Sequence, residues 1–387
     1  MKTIVIVTAT RAEYGLLRPV IRRLMDIKEL MVKIAVTGAH LCQEFGMTVR
    51  EIENDGIAID KKIEILLGSD TPVAVSKSMG LAMISFAEYF AESRPDALLV
   101  LGDRYETLAV CCAAMNARIP IFHMYGGETT EGAIDEAIRH SITKMSFLHF
   151  TSTQAYGKRV VQLGEDPKRV YTVGAVGIEN ALNTELLSKE DLEKELGCRL
   201  SKKYAVVTFH PVTLEEIPAE SQVEELLNAV GAFPDMAFLF TKANADAGGR
   251  IVNEHIEKFS ETHKNIYLFS SLGVKKYLSA MKYAAMVIGN SSSGLVEAPT
   301  FGIPTVNIGD RQKGRMQAES VINCRPVCRE IKAAVAQALS ETCREKARAV
   351  QNPYGDGKTS EKVGSIIREW MENGKLDIKK EFYDVDF

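Results

Sequence analysis

Short apolar runs, each closing on a polar or glycine-bearing turn and followed by a stretch of helical periodicity, recur along the whole chain in two series. In the first half, residues 3–8, 33–36, 97–101, 119–122 and 148–151 have the length and apolar character of buried strands. Between them, 16–25 and 73–92 repeat apolar residues at helical spacing, as helices covering a sheet would. Parallel strands need long crossover connections, usually helices, so the pattern predicts an α/β fold of the doubly wound kind. The rhythm restarts at 205–209, 237–241, 266–269, 286–289 and 305–308. A chain of 387 residues exceeds what one core usually supports. Two domains are therefore expected, 1–175 and 176–359, with the hinge near Val176 and a C-terminal helix over 360–387 returning to the first domain.

Several function classes are disfavoured. Net charge is −4 and the Lys and Arg residues form no stripe, so no nucleic-acid partner is expected. The opening Met1-Lys2-Thr3-Ile4-Val5-Ile6-Val7 reads as a strand too short for a signal peptide or membrane span, which predicts a cytoplasmic protein with no membrane partner. The 7 cysteines are not joined by Cys/His pairs at zinc spacing, so reduced thiols and no metal centre are expected.

In open parallel sheets ligands bind beyond the carboxyl ends of strands, where helix N-termini offer unpaired N–H groups. Candidate site residues follow strands in both halves. Arg11 and Tyr14 lie in the first strand-to-helix segment, which lacks a G-x-G-x-x-G pattern; Arg11 is either a solvated charge or a phosphate ligand. Asp103 can serve as an N-cap, but a cap does not explain Arg104 beside it, and the two arginines together suit a diphosphate. After the next strand, Gly126-Gly127 permits close approach of a ligand, and Glu128 follows. Asp135 and Arg139 share a helix face at i,i+4, consistent with an ordinary ion pair or with a site. His210 ends a strand ahead of Pro211. Lys242, Asn244 and Asp246 occupy a turn that reads as a surface turn with Asp246 capping, or as a sugar or phosphate contact. The most specific signal is Ser291, Ser292, Ser293 and Gly294 between an apolar strand and a helix, a cradle for phosphate oxygens, with Glu297 placed to accept from ribose hydroxyls. Arg311 and Arg315 add cations, or are merely solvated.

Together these segments resemble the hydrolysing UDP-N-acetylglucosamine 2-epimerases of bacterial sialic acid pathways, from the Arg11-Ala12-Glu13-Tyr14 turn to the Phe382-Tyr383-Asp384 tail. The resemblance implies two facing Rossmann-like domains of the GT-B type with the ligand cleft between them. It implies catalytic roles for Asp103, Asp135, Arg139 and His210, and a UDP site at Ser291, Ser292, Ser293, Gly294 and Glu297. The family's His-x-Glu-Gly-Gly motif has an acid where this chain has Tyr125, which makes Glu128 the substitute candidate. The implied reaction converts UDP-N-acetylglucosamine and water to N-acetylmannosamine and UDP through a 2-acetamidoglucal, for nonulosonic acid biosynthesis, with no metal or redox cofactor. Other readings remain open: the same chemistry on UDP-N,N'-diacetylbacillosamine, a non-hydrolysing epimerase, a retaining glycosyltransferase, or a non-catalytic nucleotide-sugar sensor. A homo-oligomer, dimer or tetramer, is the expectation for such enzymes.

Overall fold

The computed structural model describes residues 1–69, 71–131, 133–200, 203–212, 217–243 and 248–385. The first sheet comprises β1 (Lys2–Thr8), β2 (Leu30–Thr37), β3 (Ile59–Ile63), β4 (Ala97–Leu101), β5 (Ile121–Met124), β6 (Leu148–Thr151) and β7 (Val170–Thr172), in the order β3-β2-β1-β4-β5-β6-β7. The second comprises β8 (Tyr204–Thr208), β9 (Ala237–Thr241), β10 (Ile266–Phe269), β11 (Met286–Gly289), β12 (Thr305–Ile308) and β13 (Val321–Cys324), in the order β10-β9-β8-β11-β12-β13. Every pairing among the described residues is parallel. Each order reverses beside its first strand, between β1 and β4 and between β8 and β11, the switch point where open α/β sheets bind ligands.

The central strands are legible because they are buried on both faces, which makes them continuous apolar runs such as Ala97–Leu101. The edge strands β3, β7 and β13 are absent from the sequence expectation. β3 reads IDKKI and keeps its middle three residues exposed, so its composition is that of a loop. The strand expected at 119–122 begins two residues later, after Pro120, which has no N–H to give to a ladder.

The chain divides into two units: Met1–Glu128, Asp135–Glu179 and Tyr354–Phe387 form the first; Thr129–Ile134 and Asn180–Pro353 form the second. Apolar side chains pack on both faces of each sheet, with Phe122 and Phe150 on one face of the first and Phe86 and Phe90 on the other. In the second sheet, Phe238 and Phe240 lie on one face and Tyr204 and Leu239 on the other. No helix among the described residues is long and apolar enough to cross a membrane.

The chain closes on a C-terminal helix. It runs Thr359–Asn373 and packs in the first unit, where Trp370 Nε1 donates to the Tyr171 hydroxyl at 2.9 Å. The remaining tail is extended and anchored by charge. Lys380 Nζ donates to Glu165 at 2.6 Å and to the Ser146 carbonyl at 2.8 Å, and Tyr383 N–H donates to the Gly164 carbonyl at 3.0 Å. Glu165 is buried, and Lys144 and His149 reach it at 2.7 and 3.1 Å. Burial opposes the Glu165 charge, but these hydrogen bonds outweigh it and lower its pKa from 4.5 to about 2. A carboxyl depressed on folding contributes stability above its unfolded pKa that is lost as pH falls through the folded one. A shift of this size corresponds to roughly 3 kcal/mol. Glu165→Gln should therefore lower the thermal midpoint at pH 7 by several degrees, with the gap to wild type closing as pH falls from about 5 towards 3. Thermal melts across that range check it; a pH-independent gap would contradict the assignment.

Candidate functional site

In the first unit the site is built where β4 and β5 end. Gly102, at φ +81°, turns the chain out of β4, and the following helix begins at Tyr105 with Arg104, not Asp103, at its N-cap. Asp103 pairs with the Arg139 guanidinium through Nη2. Arg139, 1% exposed, also donates through Nη1 to Glu136 at 2.6 Å and to the Glu128 carbonyl at 3.0 Å. Burial works against its charge, yet Asp103, Glu128 and Glu136 outweigh that and raise its pKa. One cation thereby ties the turn after β4 to the segment after β5.

His123, on β5, has no exposed surface, and burial pushes its pKa down to about 3, so the ring is neutral. Its Nε2 meets the Gly102 carbonyl at 2.8 Å and its Nδ1 meets Thr143 Oγ1 at 3.3 Å. A carbonyl only accepts, so Nε2 carries the proton and Nδ1 accepts from Thr143. The ring thus fastens the β4 turn to β5, a role that sequence reading missed. The next turn is conformationally demanding. Tyr125 has φ +69°, unusual for a large side chain, and its hydroxyl oxygen accepts from Val176 N–H at 2.9 Å. Gly127 has φ +76°, and a Cβ there would lie 2.2 Å from the Tyr156 carbonyl. Gly127 is thus closely approached by protein backbone. Glu128 is buried, and its carboxylate accepts from Ser152 Oγ at 2.6 Å.

Arg104 makes a two-pronged pair with the buried Glu106, both contacts at 3.2 Å, and Arg11 pairs with Glu51 at 2.6 Å. Tyr14 lies in the hydrophobic core, where its hydroxyl donates to Asp55 at 2.6 Å. That is the place of a packing residue. Asp135 opens the helix Asp135–Met145, one turn before Arg139.

In the second unit Asn290 is the hub. Its side chain accepts from His210 N–H and donates to the His210 carbonyl, each at 2.7 Å. Its own carbonyl accepts from Arg311 Nη1 at 3.0 Å and Gln312 Nε2 at 2.8 Å. The ends of β8, β11 and β12 are thus knit around one buried amide. Gly289 is required beside it, since a Cβ there would lie 1.9 Å from the Thr208 carbonyl. The serine turn leads into a single helical turn, Ser293–Val296; Ser291 Oγ accepts from Ser293 N–H at 3.3 Å, and the Gly294 carbonyl accepts from Thr305 Oγ1 at 2.6 Å. Ser292 stands at the N-cap position of that turn, and Glu297 closes it. The helix is one turn long, and Ala298–Phe301 follows it as a 3₁₀ turn. Tyr277, which sequence reading did not select, hydrogen-bonds Ser293 and Thr208 with the Glu297 charge nearby.

Lys242 pairs with Glu257 at 2.5 Å, and Arg315 Nε donates to the Thr129 carbonyl at 3.2 Å. Asn244 and Asp246 lie outside the described residues. Among the described residues, Glu220, Glu224 and His255 have metal-donor atoms within 4.8 Å of one another. His255 pairs with Glu220 at 3.1 Å and Glu224 at 3.7 Å, which accounts for the group without an ion.

Comparison with known proteins places this geometry. A relative from Campylobacter jejuni, named GDP/UDP-N,N'-diacetylbacillosamine 2-epimerase (hydrolyzing), is 45% identical over 324 residues, 83% of this chain and 84% of its own. Polysialic acid biosynthesis protein P7 of Escherichia coli is 41% identical over 390 residues, spanning 100% of this chain and 98% of its own. The crystal structure of UDP-GlcNAc 2-epimerase from Neisseria meningitidis bound to UDP-GlcNAc has the same fold, with a TM-score of 0.81 at 18% identity over 95% of this chain and 100% of that one. The family model for UDP-N-acetylglucosamine 2-epimerase matches residues 22–368, and with these relatives it shows that the chain belongs to the UDP-N-acetylglucosamine 2-epimerase family.

Proposed function

We propose that this protein is a hydrolysing 2-epimerase that converts UDP-N-acetylglucosamine and water to N-acetylmannosamine and UDP. The observation that carries the reading is the group of carboxylates gathered around buried Arg139 at the ends of β4 and β5, in a chain of this family. The C2 hydrogen of a 2-acetamido sugar has no carbonyl beside it, so its removal is easiest when coupled to loss of UDP from C1. A carboxylate takes the C2 proton as the C1–O bond breaks, leaving 2-acetamidoglucal. Return of a proton to the opposite face of C2 and addition of water across C1 complete the balance. Asp103, Glu128 and Asp135 are the acids for these proton transfers. His210 and the arginines Arg11, Arg104, Arg311 and Arg315 are proposed to meet the departing diphosphate. The serine turn would hold the phosphates by its N–H groups and hydroxyls, and Glu297 would accept from the ribose.

Glu297→Ala should raise the dissociation constant for UDP about tenfold, the effect of losing a charge-assisted hydrogen bond. Calorimetric titration reads this directly, and an unchanged constant would remove Glu297 from the site.

A second reading, the same reaction on UDP-N,N'-diacetylbacillosamine, is favoured by the name of the Campylobacter relative. Incubating the protein with each UDP-sugar and following products by NMR separates the readings. Free N-acetylmannosamine with UDP supports the first and a free 2,4-diacetamido sugar the second. An epimerised sugar still bearing UDP would sink the hydrolytic assignment.

A further inference from the structure

The carboxyl group of Glu128 is held from outside its own segment, and the residue that holds it has no other evident task. Ser152 follows β6 directly and is 2% exposed. Its neighbours already satisfy the local backbone. Thr153 caps the helix Gln154–Gln162 by accepting from Tyr156 N–H at 3.3 Å, and Thr151 Oγ1 donates to the Thr153 carbonyl at 3.2 Å. The helix start therefore does not need the Ser152 hydroxyl, which instead donates to Glu128 Oε1 at 2.6 Å. The main chain of Glu128 is fixed separately, through its carbonyl, by Arg139. The residue before it is fixed too, since Arg159 Nη1 donates to the Gly127 carbonyl at 2.6 Å. One hydrogen bond thus holds the carboxylate and two more hold the backbone that carries it, the fixed placement a proton-transferring group requires.

We propose that Ser152 is a positioning residue for the reaction, orienting the Glu128 carboxylate for proton transfer at C2 of the sugar. The proposal rests on the epimerase reading and deepens it. Tyr125, the phenol where the family motif carries an acid, is turned to Val176 N–H at 2.9 Å, which leaves Glu128 as the nearby carboxylate in this turn. Among the charged groups near Glu128 is Arg139, with its partners Asp103 and Glu136, while Arg159 on the adjoining helix holds the Gly127 carbonyl.

The test is a double-mutant cycle on the protein, with kcat and KM measured for the accepted UDP-sugar. Ser152→Ala should lower kcat about tenfold to a hundredfold and leave KM within about twofold. In a Glu128→Gln background it should cost nothing further, because its effect passes through that carboxylate. Wild-type turnover in Ser152→Ala, or an equal loss in both backgrounds, overturns the proposal while leaving the epimerase reading intact. Absence of turnover of either UDP-sugar by the wild-type protein overturns the reading and the proposal with it. Should Ser152→Ala fail to fold, Ser152→Thr retains the hydroxyl and should turn over within about threefold of wild type. A loss of about a hundredfold in a folded Ser152→Thr protein contradicts the proposal.

Discussion

Asp135→Asn is expected to lower turnover by about a hundredfold to ten-thousandfold, the usual contribution of a positioned acid or base. A carboxylate that only favours the start of its helix contributes about 0.3–1 kcal/mol, so a structural role predicts a slightly lower melting point and near-normal turnover. Asp135 opens its helix one turn before Arg139, whose guanidinium engages Asp103, Glu136 and the Glu128 carbonyl. Measuring turnover and thermal midpoint on one preparation separates the two roles. Reaction in heavy water adds a test of the chemistry itself. The product should carry deuterium at C2, because the abstracted proton passes to an acid that exchanges with solvent before the opposite face is reprotonated. Unlabelled product would eliminate the glucal route, whereas near-normal turnover in Asp135→Asn would demote only that residue.

What the sequence made legible follows from burial. β4 is apolar along its whole length because both faces of a central parallel strand are covered, so ALLVL announces itself. β3 has neighbours on one side only and reads IDKKI, which no apolar pattern separates from a loop. The same contrast applies to the site. Asp103, Arg104 and Glu128 could be selected because charged residues follow directly on apolar strands, whereas the pairing of Asp103 with Arg139 spans 36 residues and depends on how two connections meet.

Asn290 and His123 were within reach of a stricter rule. Both lie at or just past the end of a central strand, where a polar side chain that is fully buried needs a partner. Ser152 and Tyr277 offered no comparable signal. One lies between two threonines that explain themselves, and the other sits on a helix whose apolar periodicity it continues. Their roles come from long-range contacts, with Glu128 in one case and with Ser293 and Thr208 in the other.

The largest expected loss of stability is at Arg139. Replacing it with methionine keeps much of the side chain's volume but removes the cation from among Asp103, Glu136 and Glu128. Breaking a buried pair by deleting one partner typically costs 3–5 kcal/mol, because the remaining charge is left uncompensated. Asp103 and Glu136 keep 24% and 28% of their side chains open to water, so the lower end, about 3 kcal/mol, applies here. Over a unit of this size that is a fall of about 10 °C in the thermal midpoint. The pH dependence gives the cause. Carboxylates deprived of their cation take up protons more readily in the folded state, and such groups favour folding at low pH and oppose it as pH rises. The gap between Arg139→Met and wild type should therefore be widest near neutral pH and narrow towards pH 4. Arg139→Lys, which restores the charge without the two-pronged donor, should recover part of the midpoint and little of the turnover, since an ammonium cannot hold Asp103 and the Glu128 carbonyl in the same fixed geometry. A midpoint for Arg139→Met within about 2 °C of wild type would show that this cation does not hold the two strand ends together.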